Sequence, residues 1–359
     1  MAADRTLLVT GFPGFLAGRL VPKLLADDPS ARVVALVEPR MTDLARQRAP
    51  AGVEVVSGDI TDPRLGLDAD TYAELAARTT AVFHLAAVYD LAVGRELAER
   101  VNVTGTQHII DFCRAAPNLE RHHYISTAFV AGKRSGLVLE TELAEGQDFK
   151  NHYESTKCQA EVWVQVRMRD IPTTIYRPAI VVGDSRSGET EKFDGPYYML
   201  RTIARAAERP GPIPQIGSEG APFNVVPVDF VVDAIAAGAR DPEAGGHTLH
   251  LVDPEPVSSA ELLRLMAAEV DGRAPSYRIP PRIVIRALRY APVRRMVGGT
   301  PRESVIYLNH PVRFDTRQAA EVLGRNGLRC PRFPEYVGPI VRFFQAHEHD
   351  DAYRPPHER

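Results

Sequence analysis

Tyr153 and Lys157 stand four residues apart in the run Asn151-His-Tyr-Glu-Ser-Thr-Lys157. In a helix, positions i and i+4 share one face, so a phenol and an ammonium point into the same space. A phenol has a solution pKa of about 10, and a cation beside it favours the phenolate. Such a group gives or takes a proton when a carbonyl becomes an alkoxide, as in hydride transfer. The pattern recurs by chance on many helices, so its meaning depends on the elements that hold it.

The stretch Leu7-Leu-Val-Thr-Gly-Phe-Pro-Gly-Phe-Leu-Ala17 carries Gly11, Gly14 and Ala17 between an apolar strand and a helical pattern. Glycine permits the tight turn and close backbone approach that a pyrophosphate needs, and a small third residue lets helix and strand pack closely. The helix N-terminus adds N–H donors and the positive end of its dipole. Thr10, Gly11, Gly14, Phe15 and Leu16 are therefore expected at a nucleotide site. Glu38 ends the second strand, where a carboxylate accepts hydrogen bonds from ribose hydroxyls and repels a 2′-phosphate. Arg40 carries the charge to hold that phosphate instead. The cofactor expected is NAD or NADP, with the acid favouring NAD. Gly58-Asp-Ile-Thr61 sets Asp59 and Ile60 toward the adenine edge, and His84-Leu-Ala-Ala87 offers Leu85, Ala86 and Ala87 where the cofactor backbone passes.

These motifs sit in a strand–helix alternation. Candidate strands are Thr6–Thr10, Arg32–Val37, Val53–Val56, Ala81–Ala86, His123–Ser126 and Thr173–Tyr176. Helical patterns cover Phe15–Ala26, Thr42–Arg48, Ala69–Arg78, Glu96–Ala115 and Tyr153–Arg169. Strands too apolar to be half-exposed, alternating with helices, predict an α/β fold: a doubly wound parallel sheet covered on both faces. Gly183–Gly195 and Pro210–Pro222 read as loops. Asn224–Ala237 and His247–Val252 read as a return to the sheet, residues 257–346 as a helical lobe, and 347–359 as a loose tail.

Composition narrows the class. The chain has 359 residues, 44% apolar and 25% charged, which suits a globular protein with a real core. A net charge of −3 gives no global field for nucleic acid. Cys113, Cys158 and Cys330 are scattered without metal or disulfide spacing, as in a reducing cytoplasm. No metal site, signal peptide or transmembrane span is expected.

In these motifs the chain resembles the extended short-chain dehydrogenase/reductase superfamily. The matching elements are Thr10-Gly-Phe-Pro-Gly-Phe-Leu-Ala17, Gly58-Asp-Ile60, His84-Leu-Ala-Ala87, Asn102-Val-Thr-Gly-Thr106, Ile125-Ser-Thr127, Tyr153-Glu-Ser-Thr-Lys157 and Tyr176-Arg-Pro178. Gly58-Asp-Ile-Thr-Asp-Pro-Arg-Leu-Gly-Leu67 and the run from Tyr176 to Gly188 are similar to its acyl-thioester and fatty-acyl reductase branch. The resemblance implies a Rossmann domain over 1–182 with a return segment 224–252, and a smaller C-terminal substrate-binding lobe from 183–223 and 253–346. It implies that Tyr153 is the proton donor, that Lys157 binds the nicotinamide ribose and lowers the Tyr pKa, and that Thr127 completes the set. Ser126 is the alternative by one residue; strand neighbours face opposite sides, so only one of them reaches the substrate. Pro178 and Ile180 join Tyr153 and Lys157 among the cofactor contacts. Members of that branch commonly carry a basic residue where Glu38 stands, a departure that puts NADPH preference in question.

Other residues carry weaker signals. Asn102 reads as a buried tie for the central helix, Cys158 as an inert buried thiol, and His84, His122 and His123 as structural. Val88-Tyr-Asp90 follows the fourth strand at the carboxyl edge where α/β sheets bind ligands. Gly183–Gly188 and Phe193–Tyr198 have the composition of a lid. Arg278, Arg282, Arg286 and Arg289, in the basic segment Arg278–Arg295, suit a solvated helix face, peripheral membrane contact or a phosphorylated carrier. The expected partner is a small carbonyl, acyl-thioester or alcohol substrate, with a homodimer left open. The chemistry expected is hydride transfer; a nucleotide-sugar epimerase or dehydratase, or a non-catalytic dinucleotide sensor, would use the same frame.

Overall fold

The computed structural model describes residues 5–89, 93–208, 213–279, 281–287, 289–290 and 306–354. The first half runs β1 (Thr6–Thr10), α1 (Phe15–Asp27), β2 (Arg32–Val37), α2 (Thr42–Arg48), β3 (Val53–Ser57), α3 (Ala69–Arg78) and β4 (Thr79–His84). It continues through α4 (Arg95–Ala98), a π-helical segment over Glu99–Thr104, α5 (Gly105–Ala115), β5 (Arg121–Ile125), β6 (Gly136–Val138), α6 (His152–Arg167) and β7 (Thr173–Pro178). Next come β8 (Ile180–Val182), α7 (Tyr197–Ala207), β9 (Pro214–Gln215), β10 (Val225–Pro227), α8 (Val228–Arg240) and β11 (Thr248–Leu251). The chain then forms α9 (Ser259–Asp271), β12 (Tyr277–Arg278), α10 (Pro281–Ala287), β13 (Val312–Phe314), α11 (Arg317–Arg325) and α12 (Phe333–His347).

Seven strands form one sheet in the order β11-β7-β5-β4-β1-β2-β3, every neighbouring pair parallel. The order reverses between β1 and β4, and that switch point opens a crevice at the carboxyl edge. Side chains alternate across β1: Leu7 and Val9 join α1, α2 and α8 in one core, and Leu8 joins α3, α5 and α6 in the other. A third core packs α7, α9 and α12 beside β8 and β10, with Tyr336, Phe344 and Leu262 buried in it.

The structure revises several sequence expectations. β4 starts at Thr79 and ends at His84, so Leu85 and Ala86 leave the strand. The expected single helix over Glu96–Ala115 is interrupted by the π segment, where a wider turn often marks a functional site. There the Asn102 side chain accepts from Val88 N–H at 2.9 Å and donates to Thr156 Oγ1 at 3.1 Å. Only β11 rejoins the main sheet; β10 pairs with β8 in a separate two-stranded ribbon. Residues 312–325 pack in the core around the sheet, not with the lobe to which the sequence assigned them. Buried Glu140 explains this, because it accepts the backbone N–H groups of Gln318 and Ala319 at the start of α11, at 2.6 and 3.0 Å. The tail is less loose than expected as far as residue 354: Tyr353 stacks on Phe193 at 5.1 Å, and its carbonyl accepts from Phe193 N–H at 2.8 Å. Arg278 lies in β12 and not on a basic helix with Arg286. Asp90 and residues 291–295 lie outside the described residues.

Candidate active site

The phosphate loop follows from local geometry. Gly11 has φ +86°, which L side chains rarely adopt, and a Cβ there would lie 2.9 Å from Ala86 N. Gly14 caps α1, its own N–H donating to Gly11 O at 2.8 Å. Thr10 lies beneath this loop and does not line the cavity described below. Its hydroxyl sits 2.8 Å from His84 Nδ1 and accepts from Ala86 N–H at 3.1 Å, which ties β1 to the chain leaving β4.

Above the loop opens a cavity of about 870 Å³ along the carboxyl edge of the sheet. Its nucleotide end is lined by Gly11, Gly14, Phe15, Leu16, Glu38 and Arg40. Asp59, Ile60, Leu85, Ala86 and Ala87 form the adjoining wall. Thr127, Tyr153, Lys157, Pro178 and Ile180 line its middle. Glu38 and Arg40, the two residues expected to choose between NAD and NADP, hold each other, with Arg40 Nε 2.8 Å from Glu38 Oε2. A backbone cradle that a Cβ would block, open at a helix N-terminus and set at the switch point, fits a dinucleotide pyrophosphate.

Asn151 caps α6 by accepting Glu154 N–H at 2.9 Å, which places Tyr153 in the first turn of the helix. The Tyr153 ring is 9% exposed and meets the Tyr89 ring edge-on at 5.2 Å, while the Thr127 hydroxyl, on the same cavity wall, donates to Pro178 O at 3.5 Å. Thr127 leads a 3₁₀ turn just past β5 and accepts Phe129 N–H at 3.2 Å. Its neighbour Ser126 is locked elsewhere, its hydroxyl donating to buried Glu161, which is itself ion-paired with Arg177.

Lys157 comes one turn after Tyr153 and donates to Ile125 O at 2.7 Å, with its ammonium 4.5 Å from the Tyr124 ring centre. Burial pushes Lys157 down to about 7, offset in part by Glu161. Among the protein's own groups, burial raises the Tyr153 phenol, the Thr127 side chain pulls it back, and Glu154 adds to the rise. The Lys157 ammonium is desolvated and turned to the Ile125 carbonyl. Cys158 is buried, with its thiol pushed up to about 11 by desolvation, so no thiolate stands beside the helix. Among the described residues no cluster of His, Cys, Asp or Glu could hold a metal ion.

Several lining residues were absent from the sequence reading. Met199, Ile216, Phe223, Tyr307 and Leu308 form an apolar end beyond Tyr153. Glu191 and Lys192 line the cavity on a loop tied down by Arg19–Glu189 at 3.3 Å and Arg48–Glu191 at 3.6 Å. Lys192 sits 4.9 Å from the centre of the Tyr89 ring. Of the segments expected to line the pocket, Val88, Tyr89, Asp194, Gly195 and Tyr198 do so, but not Gly183–Gly188.

Residues 9–235 match the model of the family described as male sterility protein, which bears an NAD-binding domain. The chain belongs to this family. The male sterility family member described here is 25% identical, over 90% of its length, to a non-canonical nonribosomal peptide synthetase of a Cladobotryum species. It is 23% identical, over 86% of its length, to a putative fatty acyl-CoA reductase of Drosophila melanogaster. It spans 35% of the first of these relatives and 64% of the second. Among solved structures, the terminal R domain from the myxalamid biosynthetic pathway superposes with a TM-score of 0.82 at 25% identity, covering 97% of this chain and 92% of that one. A nonribosomal peptide synthetase reductase domain from Mycobacterium tuberculosis, 21% identical, shares the fold with a TM-score of 0.71, covering 95% and 91% of the two chains. The matched region is an NAD(P)-binding Rossmann domain of the extended short-chain dehydrogenase/reductase type. Among the described residues no helix is long and apolar enough to cross a membrane.

Proposed function

We propose that the protein reduces the carbonyl carbon of a lipophilic acyl thioester, aldehyde or ketone, with Thr127, Tyr153 and Lys157 as its catalytic set. The observation that carries this reading is one cavity lined by the glycine loop after β1, by Thr127, Tyr153 and Lys157, and by an apolar set of side chains. Bound NAD(P)H supplies the hydride. Tyr153 gives its proton to the carbonyl oxygen, Thr127 hydrogen-bonds that oxygen, and Lys157 would hold the nicotinamide ribose; from a thioester, the resulting hemithioacetal then breaks its C–S bond, releasing the thiol and leaving the aldehyde. The third core, around α7, α9 and α12, serves as the substrate lobe. Scattered free thiols and a modest net charge suit a cytoplasmic enzyme.

The test is turnover of NADH and NADPH, followed by absorbance, against acyl-coenzyme A esters, aldehydes, ketones and nucleotide sugars. Net oxidation with an acyl or carbonyl substrate is expected. A nucleotide sugar converted with no net cofactor consumption would replace this reading with epimerase chemistry.

Glu38 favours NADH by accepting the ribose hydroxyls and by occupying Arg40. Glu38→Ala frees the guanidinium for a 2′-phosphate. It should move the NADPH-to-NADH ratio of kcat/KM upward by roughly tenfold or more, the worth of one hydrogen bond to a charged group. An unchanged ratio would remove both residues from cofactor choice.

A further inference from the structure

We infer that Tyr307, supplied by the C-terminal part of the chain, is a positioning residue that aligns Thr127 with Tyr153. This rests on the catalytic reading proposed above. Tyr307 lines the cavity beside Leu308 yet is only 8% exposed. Its phenol donates to Glu154 Oε1 at 2.6 Å and accepts from Asn151 Nδ2 at 2.8 Å. Both partners flank Tyr153 in sequence, and Asn151 is the cap on which the first turn of α6 is built. The other side of Tyr307 meets Phe129 edge-on at 5.2 Å, and Phe129 follows Thr127 by two residues in the same turn. One side chain therefore touches both the turn that carries Thr127 and the turn that carries Tyr153.

A buried ion pair stiffens the junction. The Glu154 side chain is fully buried, 3.2 Å from Lys150 Nζ, and Lys150 also donates to Gly132 O at the far end of the Thr127 turn. The Lys150 ammonium lies 5.1 Å from the Tyr307 ring centre. A buried carboxylate needs every donor it has, so the phenol is held in one orientation. Leu308, the next residue, lines the apolar end of the cavity, so what fills that end bears on the segment that holds the proton donor.

Tyr307→Phe keeps the ring against Phe129 and removes both hydrogen bonds. We expect kcat to fall on the order of tenfold to a hundredfold, the scale of a misaligned reacting group, with KM for NAD(P)H unchanged. If Tyr307 acts through Glu154, adding Tyr307→Phe to Glu154→Gln should cost less than about twofold more, since coupled residues are not additive. Asn151→Ser retains a capping oxygen but loses the donor to Tyr307; it should lower kcat in the same way, and it reads the coupling if Tyr307→Phe does not fold. Wild-type kcat in Tyr307→Phe or in Asn151→Ser, or losses that multiply with Glu154→Gln, would overturn the inference. Tyr153→Phe run in parallel separates the two levels. An active Tyr153→Phe defeats the catalytic reading itself, whereas an inactive one beside a wild-type Tyr307→Phe defeats only the positioning role.

Discussion

Tyr153→Phe should lower kcat by about 10²–10⁴, the usual contribution of a positioned general acid. The substitution removes one oxygen from a ring that is 9% exposed and packed edge-on against Tyr89, so the ring and its contacts stay. The phosphate loop lies on β1 and α1, away from the phenol, and NAD(P)H affinity measured by fluorescence titration should hold within about twofold, as for any group that acts only in the transition state. A parallel loss of cofactor affinity would make Tyr153 a binding residue. Undiminished turnover would require a different proton donor altogether.

The largest expected effect on stability comes from Arg177→Met. Arg177 and Glu161 are both wholly buried, 2.6 Å apart, and Glu161 also accepts from Ser126. Removing the cation leaves an uncompensated buried carboxylate, a defect worth about 3–5 kcal/mol. It should show as a lower denaturant midpoint with little change in slope. The double variant Arg177→Met with Glu161→Leu should recover much of that loss, because buried pairs exchanged for apolar residues are often neutral. A single-variant loss under about 1 kcal/mol would mean that water reaches the pair. Ser126 lines the cavity beside Thr127, but the pair engages its hydroxyl through Glu161, which favours Thr127 as the residue that meets substrate.

The sheet and the glycine turn after β1 were legible in the sequence because their signals are local. Apolar β-branched runs mark β1, β2 and β7, and Gly11 and Gly14 mark a turn that only glycine tolerates. Asn151 before Tyr153-Glu154 is a readable helix start. What could not be read depends on distant partners. The π segment consists of ordinary helix residues, and its shape follows from Asn102 reaching Val88 and Thr156. β10 is a readable apolar run, but its pairing with β8 is a tertiary choice. The same holds for the docking of α11 on Glu140 and of Tyr353 on Phe193. In the site, i,i+4 spacing sets Lys157 one turn after Tyr153 but says nothing of the desolvation that pushes Lys157 down to about 7. Tyr307 has no motif around it; only the hydrogen bonds it makes with Asn151 and Glu154 reveal its place.

The strand order also sets a timetable for folding. β1 precedes the other strands of its sheet in the chain, yet it lies inside the sheet, and α1 buries Leu20, Val21 and Leu24 in a core shared with α8, which begins only at Val228. Edge strand β11, at Thr248–Leu251, comes later still. At a synthesis rate of about 5–20 residues per second, the apolar stripe of α1 waits on the order of ten seconds or more for its cover. During that wait the nascent sheet offers an open β7 edge and a bare helix face, the surfaces through which slow parallel folds aggregate. The arrangement that brings the two ends of the cofactor crevice together thus makes the growing chain dependent on sequence yet to emerge.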